Sequence, residues 1–131
     1  MQPKRDMDLI RALLLKLESL EMSYGDVFSI MPDSSEVAIA GYSDDAIGYH
    51  LSLLRERGLI DSPGSQPMLG ITYAGLTWDG HDFLDAVRDP EIWKKTKEGA
   101  RSAGGFSIDL LRDLAKGLIR KQIEEYTGVK M

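Results

Sequence analysis

Apolar residues recur every three or four positions in several long stretches of the chain, which is typical of amphipathic helices. Residues 5–21 predict the first helix, because its large apolar side chains fall on one face and its charged residues fall elsewhere. That face carries Ile10, Leu13, Leu14, Leu17 and Leu20. A second helix is predicted from Ser43, a capping residue, to Gly58, which ends it. Ile47, Leu51 and Leu54 form its inward stripe.

Shorter apolar runs lie between and after these helices. VFSIM and VAIA, separated by the turn-rich PDSS, predict a hairpin of two short strands within residues 24–40, with a short helix as the alternative. Residues 59–61 predict a strand, SPGSQP a turn, and MLGITYA a returning strand in which Leu69, Ile71 and Tyr73 alternate inward. Helix, strand, loop and strand in this order are typical of the wing of a winged helix.

Helices return in the last third of the chain. Thr77 caps a predicted helix that runs to about Arg88, and Asp89 with Pro90 begins another short helix. The glycine-rich residues 99–105 predict a flexible connection to a final helix over residues 107–126. We therefore predict an α+β, mostly helical fold, with a winged-helix domain at residues 1–89 and a helical extension at residues 90–131.

The final helix carries an apolar stripe about five turns long, and such a stripe must be buried. It consists of Leu111, Leu114, Ala115, Leu118, Ile119, Ile123 and Tyr126. The helix either folds back on the first helix or packs against a second copy of the chain. Its length and its mixed charged flanks favour a homodimer, with Leu111, Leu114, Leu118, Ile119, Ile123 and Tyr126 as the interface.

Composition narrows the class of protein. The chain has 131 residues, is 43% hydrophobic and has no cysteine, so disulfides and thiolate metal sites are excluded. Neither a signal peptide nor an apolar run of membrane-spanning length is found, so we expect a cytoplasmic protein that does not bind membranes. The two histidines, His50 and His81, lack the spacing of a metal pair, and GLTWDG does not have the glycine spacing of a phosphate loop. We expect no catalytic residue, metal or cofactor.

Charge is distributed unevenly around the net value of −5. Residues 1–89 hold 7 Lys and Arg against 15 Asp and Glu, whereas residues 90–131 hold 9 against 6. Non-specific DNA affinity comes from cations that neutralise phosphates, so the acidic front is a poor non-specific DNA binder unless its few cations share one face.

Three segments together resemble a family of uncharacterised bacterial and prophage proteins described as a domain of unknown function. They are KRDMDLIR at residues 4–11, YHLSLLRERGLI at residues 49–60 and LTWDGHDFLDAVRD at residues 76–89. The resemblance covers nearly the whole chain and implies a winged-helix fold. It implies no activity, because a fold does not define a function.

A winged helix suggests DNA binding, and the second helix would then read the DNA. Its outward Tyr49, Ser52 and Arg55 are the candidate base or phosphate contacts, and a basic cluster is the candidate backbone contact. That cluster is Lys94, Lys95, Lys97 and Arg101. Asp44 and Asp45 disfavour phosphate but suit the positive end of the helix dipole. We expect a DNA-associated regulator, with prophage genes as candidate targets. The alternative is an acidic protein-interaction module, such as an inhibitor or adaptor, that does not bind DNA.

Bulky and titratable residues also have structural interpretations. Trp78, Phe83 and Trp93 are expected in the core, because aromatic side chains bury large areas. His50 precedes the core residue Leu51 and is expected to be half-buried, with a ring nitrogen bonded to the backbone.

Overall fold

The computed structural model describes residues 3–131 as two compact units, one ending at His81 and the other beginning at Asp82. The fold is α+β and mostly helical, as predicted. Its elements are α1 (Met7–Glu18), β1 (Phe28–Ile30), a 3-10 helix (Ser35–Val37), α2 (Asp44–Arg57), β2 (Ile71–Tyr73), α3 (Trp78–Val87), α4 (Pro90–Ala103) and α5 (Ile108–Thr127).

The two helices of the first unit form on the apolar stripes that predict them, although α1 is shorter than the predicted residues 5–21. Asp6 caps α1 and Ser43 caps α2, each by accepting hydrogen bonds from backbone N–H groups of the first turn. Gly58 ends α2 in the left-handed conformation, with φ of 74°. Ile10, Leu13, Leu14 and Leu17 of the predicted α1 face are buried, as is the predicted face of α2, but Leu20 lies beyond the end of α1 and is only half-buried. The α1 helix packs against α2 and the 3-10 helix.

The predicted hairpin within residues 24–40 is wrong. Phe28–Ile30 is a strand, but its partner is β2, in antiparallel register with Ile30 opposite Ile71. VAIA forms no strand; instead Ser34 caps the 3-10 helix by accepting a hydrogen bond from Glu36 N, and Val37 is buried. The alternative of a short helix was therefore the better prediction, because a local serine cap competes with extended backbone.

The segment after α2 also differs in detail from its prediction. Residues 59–61 contribute one antiparallel bridge, Ile60 with Leu76, flanked by hydrogen bonds from Asp61 N to Gly75 O and from Ala74 N to Asp61 O, both 2.8 Å. Ile71 and Tyr73 point inward as predicted, but Leu69 is 68% exposed. The β2 strand begins only at Ile71, so alternation did not extend to Leu69.

In the second unit, α5 packs along α4. The predicted flexible connection at residues 99–105 is mostly wrong, because α4 continues to Ala103 and ends at Gly104 in the left-handed conformation. Ala100 is fully buried, so packing holds this glycine- and alanine-containing turn in the helix. Lys116 of α5 donates to Asp82 of α3 at 2.9 Å within the same unit.

The aromatic residues divide into two groups. Phe83 and Trp93 are buried, as predicted, with 1% and 5% exposure. Trp78 is 86% exposed, so its expected core position is wrong. It is the first residue of α3, where a side chain can point away from the packed face even when its neighbours are buried.

The start of α3 is held close to the end of α2 by a short set of contacts. Thr77 Oγ1 donates to Gly58 O at 2.6 Å and accepts from Gly80 N at 3.1 Å, while Thr77 N donates to Leu59 O at 3.1 Å. At Gly80 the helix lies directly against the Leu59 carbonyl, and a Cβ there would overlap the carbonyl oxygen. The close approach therefore requires glycine at this position.

Replacing Gly80 by alanine should lower the free energy of unfolding by about 3 kcal/mol or more, because backbone must move to admit the methyl group. Gly117→Ala in α5 is the matched control: nothing lies within 4 Å of its Cβ position. Helix propensity alone should raise stability there by about 0.5–1 kcal/mol. Urea unfolding of both variants measures the difference. Equal effects at the two sites would contradict the close approach at Gly80.

Candidate functional site

His50 is a buried residue of α2 whose two ring nitrogens are both hydrogen-bonded, and one of these bonds fixes the position of α2 against the start of α1. The Asp6 backbone N–H donates to His50 Nε2 at 2.8 Å, so Nε2 carries no proton. The ring proton is therefore on Nδ1, which donates to Ala46 O at 2.7 Å. His50 is 1% exposed. Its expected role as a structural histidine bonded to the backbone is confirmed, with deeper burial than predicted.

Asp6 connects three parts of the first unit. Its Oδ1 accepts from the N–H groups of Asp8 at 2.9 Å and Leu9 at 3.3 Å, which caps α1. Its Oδ2 accepts from the Tyr42 hydroxyl at 2.8 Å, just before the start of α2. The hydrogen bond to Asp6, followed by burial and the charges of Asp6 and Asp8, raises the pKa of Tyr42 to about 12. One residue thus holds together α1, the segment before α2 that contains Tyr42, and α2 itself.

The exposed face of α2 forms one side of a groove with a cavity volume of about 570 Å³. The opposite side is made by residues 31–33 and by the loop that leads into β2. We call this the α2 groove. It is lined by Met31, Pro32, Asp33, Asp44, Asp45, Gly48, Tyr49, Ser52, Arg55, Gln66, Pro67, Met68, Leu69 and Gly70.

Two glycines allow the sides of the α2 groove to come close. A Cβ on Gly48 would lie 3.0 Å from Pro32 Cγ, so the bare backbone of α2 lets Pro32 pack against it. Gly70 has φ of +91°, and a Cβ there would overlap Ile30 O. A glycine inside a helix is less stable than an alanine. The close packing of Pro32 explains why glycine is found at position 48 despite this cost.

The charges of the α2 groove are mainly negative. Asp33, Asp44 and Asp45 line it, against the single cation Arg55. Arg55 Nη1 donates to Gln66 Oε1 at 3.4 Å, so this cation is already in contact with the opposite side. More broadly, residues 17–81 hold ten Asp and Glu against two Arg. The face proposed from sequence to read DNA is therefore poor in cations.

Sequence reasoning missed the apolar part of the groove. Met68 is 100% exposed, Leu69 is 68% exposed and Met31 is 38% exposed. The two prolines and Gly64 predict a loop at residues 62–67, and Met68 and Leu69 belong to the MLGITYA stretch that predicts a strand. An apolar pair that directly follows a proline-rich turn could have been interpreted as exposed.

Of the predicted DNA contacts, the structure brings Tyr49, Ser52 and Arg55 together along the α2 groove. The Ser52 hydroxyl donates to Tyr49 O at 2.6 Å, and the Tyr49 ring meets the His50 ring edge to face, with centroids 5.4 Å apart. The Ser52 hydroxyl proton is therefore already used by the helix backbone.

The basic cluster lies on α4 in the second unit, and its members do not share one surface. Helical spacing places Lys94, Lys97 and Arg101 on one flank of α4. Lys95 lies on the other flank, where it lines a cleft with Ile92 and α5. Lys97 Nζ lies 5.5 Å from the centre of the Trp93 ring, a cation–π contact.

The predicted dimer residues are partly covered within their own unit. Leu111 is fully buried, Leu114 and Leu118 are half-buried, and Leu118 lines the cleft between α4 and α5. Packing on α4 was not among the alternatives that the sequence suggested. The homodimer stays a prediction that now depends on Ile119, Ile123 and Tyr126, the last two being 39% and 92% exposed. Sedimentation equilibrium at micromolar concentration tests it, and a monomer would exclude it.

Two other kinds of site are absent from the described residues 3–131. No group of three or more His, Cys, Asp or Glu side chains in this range is arranged to hold a metal ion. None of the helices described is both long enough and apolar enough to cross a membrane.

Comparison with known sequences identifies relatives of the chain. Residues 4–107 match the family described as "Hypothetical protein (DUF2513)". The chain belongs to this family. It is also 32% identical over 123 residues to an "Uncharacterized protein" of Haemophilus influenzae, an alignment that covers 92% of this chain and 98% of that protein. No solved structure matches the chain.

The match to the DUF2513 family confirms the resemblance that the three sequence segments indicated. Each segment contains a residue that the structure gives a specific contact. Asp6 lies in the first segment, His50 in the second, and Thr77 and Gly80 in the third. These residues join α1 to α2 and α2 to α3. The segments therefore specify how the helices of the first unit are joined.

The Tyr42–Asp6 bond predicts a loss of stability at high pH. Tyr42 has a folded-state pKa of about 12 against 10.0 for the unperturbed group, so its contribution is complete below pH 10 and is lost as pH rises towards 12. Burial raises the pKa of Tyr73 to about 12 as well, so the stability that Tyr73 contributes is also lost between pH 10 and 12. Tyr42→Phe should therefore weaken, without abolishing, the loss of stability between pH 10 and 12.

Asp6→Asn is the complementary variant, because it removes the charge that holds the Tyr42 proton. Tyrosinate ultraviolet absorbance should show one tyrosine shifting from about 12 back towards 10. Urea unfolding across the same pH range measures the stability. An unchanged tyrosine titration in Asp6→Asn would show that the Tyr42–Asp6 bond does not form in solution.

Proposed function

We propose that the protein is a non-enzymatic protein-interaction module on a winged-helix framework, and that the α2 groove is where it binds another protein. The observation that carries the proposal is the lining of that groove, in which three aspartates face one arginine beside exposed Met68 and Leu69. Exposed apolar side chains rimmed by polar groups are typical of protein-binding surfaces.

The winged-helix part of the proposal is supported by the order and pairing of the elements. A helix, a strand, a short helix and a longer helix follow one another, and the chain then returns through residues 59–76 to pair with the first strand. In this arrangement α2 has the position of the recognition helix and residues 62–70 have that of the wing. The wing segment contains no Lys or Arg.

DNA binding would place carboxylates against phosphates. In the usual pose the start of the recognition helix lies near the DNA backbone, where Asp44 and Asp45 would repel it. Arg55 would be the groove's contribution to neutralising phosphate, and one cation supports little affinity. For this reason the protein-interaction alternative is preferred to the DNA-associated regulator, including regulation of prophage genes.

Fluorescence anisotropy with pooled duplex DNA fragments tests this preference. The proposal predicts no binding tighter than about 10⁻⁴ M, the weak end of ordinary non-specific affinity, even at low salt. Asp44→Lys with Asp45→Lys is the positive control, because it adds cations at the same place and should create salt-dependent binding. Binding by the unmodified chain that falls steeply with salt and is lost in Arg55→Ala would overturn the proposal and favour the DNA-associated regulator.

A further inference from the structure

We propose that the α2 groove binds a short linear segment in which apolar side chains stand next to Lys or Arg residues. This inference rests on the proposed function and adds the chemistry of the partner. It combines three features of the groove: its length, its exposed apolar residues and its uncompensated carboxylates.

The length of the groove suits a short segment of chain. Its residues on α2 run from Asp44 to Arg55, and helical rise places these two residues about 16 Å apart along the axis. An extended peptide advances about 3.3 Å per residue, so about five residues span that distance. An open groove of about 570 Å³ accommodates a few side chains and does not require a folded partner surface.

The polarity of the groove follows from contacts along it. Asp44 and Asp45 lie in the first turn of α2, and Pro32 packs at Gly48 one turn later, which places Asp33 near the acidic end. Gln66 meets Arg55 near the other end of the helix. The loop carries Met68 and Leu69 between Gln66 and Gly70, and Gly70 lies against Ile30 and Met31. Met68 and Leu69 thus lie between the Arg55 contact and the Met31–Pro32 segment that leads to the acidic end.

Exposure makes the apolar residues available to a partner. Met68 and Leu69 are 100% and 68% exposed on a loop that two glycines and two prolines shape. Methionine has a flexible, polarisable side chain and adapts to partner side chains of different shape. These residues supply area for an apolar anchor, which provides most of the affinity of a short peptide.

The carboxylates of the groove determine which partner side chains are favoured next to the apolar anchor. No ion pair with Lys or Arg within the described part of the chain involves Asp33, Asp44 or Asp45. The α2 dipole offsets part of their negative charge, since it is equivalent to roughly half a positive charge at the helix start. Three carboxylates exceed that offset, so the acidic end attracts a cationic side chain and repels phosphate or carboxylate.

A display selection from random linear peptides, performed on the full chain, tests the inference. Enriched peptides should combine apolar residues with Lys or Arg, and synthetic copies should bind with an affinity that falls as salt rises. Asp44→Asn with Asp45→Asn should weaken that binding about threefold to tenfold. Leu69→Ser should weaken it about tenfold.

Two matched variants separate the groove from general acidity. Asp79→Asn removes an exposed first-turn carboxylate from α3, outside the groove, and should change affinity less than about twofold. Tyr24→Ser removes an exposed apolar side chain outside the groove and should have no effect. Equal losses in Asp79→Asn and the paired Asp44 and Asp45 variant would mean unspecific attraction to an acidic chain and would overturn the inference.

The remaining outcomes separate this inference from the proposed function. The charge preference would be overturned by enriched peptides that lack cations and whose affinity falls in Leu69→Ser but not in Asp44→Asn with Asp45→Asn. The groove would then still be a protein-binding site. Peptides indifferent to Leu69, or no enrichment at all, would overturn the groove as a peptide site. DNA binding that requires Arg55 would overturn the proposed function itself.

Discussion

The architecture of the first unit depends on a junction of hydrogen bonds around Asp6. Its side chain caps α1 and accepts the Tyr42 hydroxyl, while its backbone N–H donates to the buried ring of His50. Loss of the hydrogen bond from the Asp6 N–H would leave the buried His50 Nε2 without a donor, which costs about 1–3 kcal/mol. The junction sets the orientation of α2, and with it the direction in which Tyr49, Ser52 and Arg55 point.

In this orientation one face of α2 is buried in the core and the other is exposed. The inner face, with Ile47, Leu51 and Leu54, is part of the core, so its residues are determined by packing. The outer face is not constrained by the core, and it carries aspartates and a glycine next to an apolar loop. Residues that packing does not require are the ones that indicate function, and the proposed protein partner rests on these residues of α2 and the loop.

Local signals predicted the helices well, because caps and apolar stripes act within a few residues. Helices begin or end, as expected, at the capping residues Ser43, Gly58, Thr77 and Ser107. The strands were harder, because β1 pairs with β2 more than forty positions away and neither strand contains information about that partner. The extension of α4 through Gly99 likewise depends on packing against α5.

The candidate site was only half predictable for the same reason. Tyr49, Ser52 and Arg55 could be found from helical periodicity, since a helix exposes the residues opposite its apolar stripe. Met68, Leu69 and Pro32 reach the groove through tertiary contacts at Gly48 and Gly70, which no local pattern predicts. The exposure of Trp78 was missed because composition favours burial of aromatic residues, and a helix end can override that tendency.

Site-specific photocrosslinking in the cell that makes this protein tests the central claim most directly. A photoreactive amino acid at position 69 reports on what occupies the α2 groove, and one at position 24 reports on an exposed surface of the same unit outside it. If the α2 groove binds a protein, position 69 should give a discrete protein adduct that is lost in Asp44→Asn with Asp45→Asn, and position 24 should give none. Nucleic-acid adducts from position 69, or identical adducts from both positions, would contradict it.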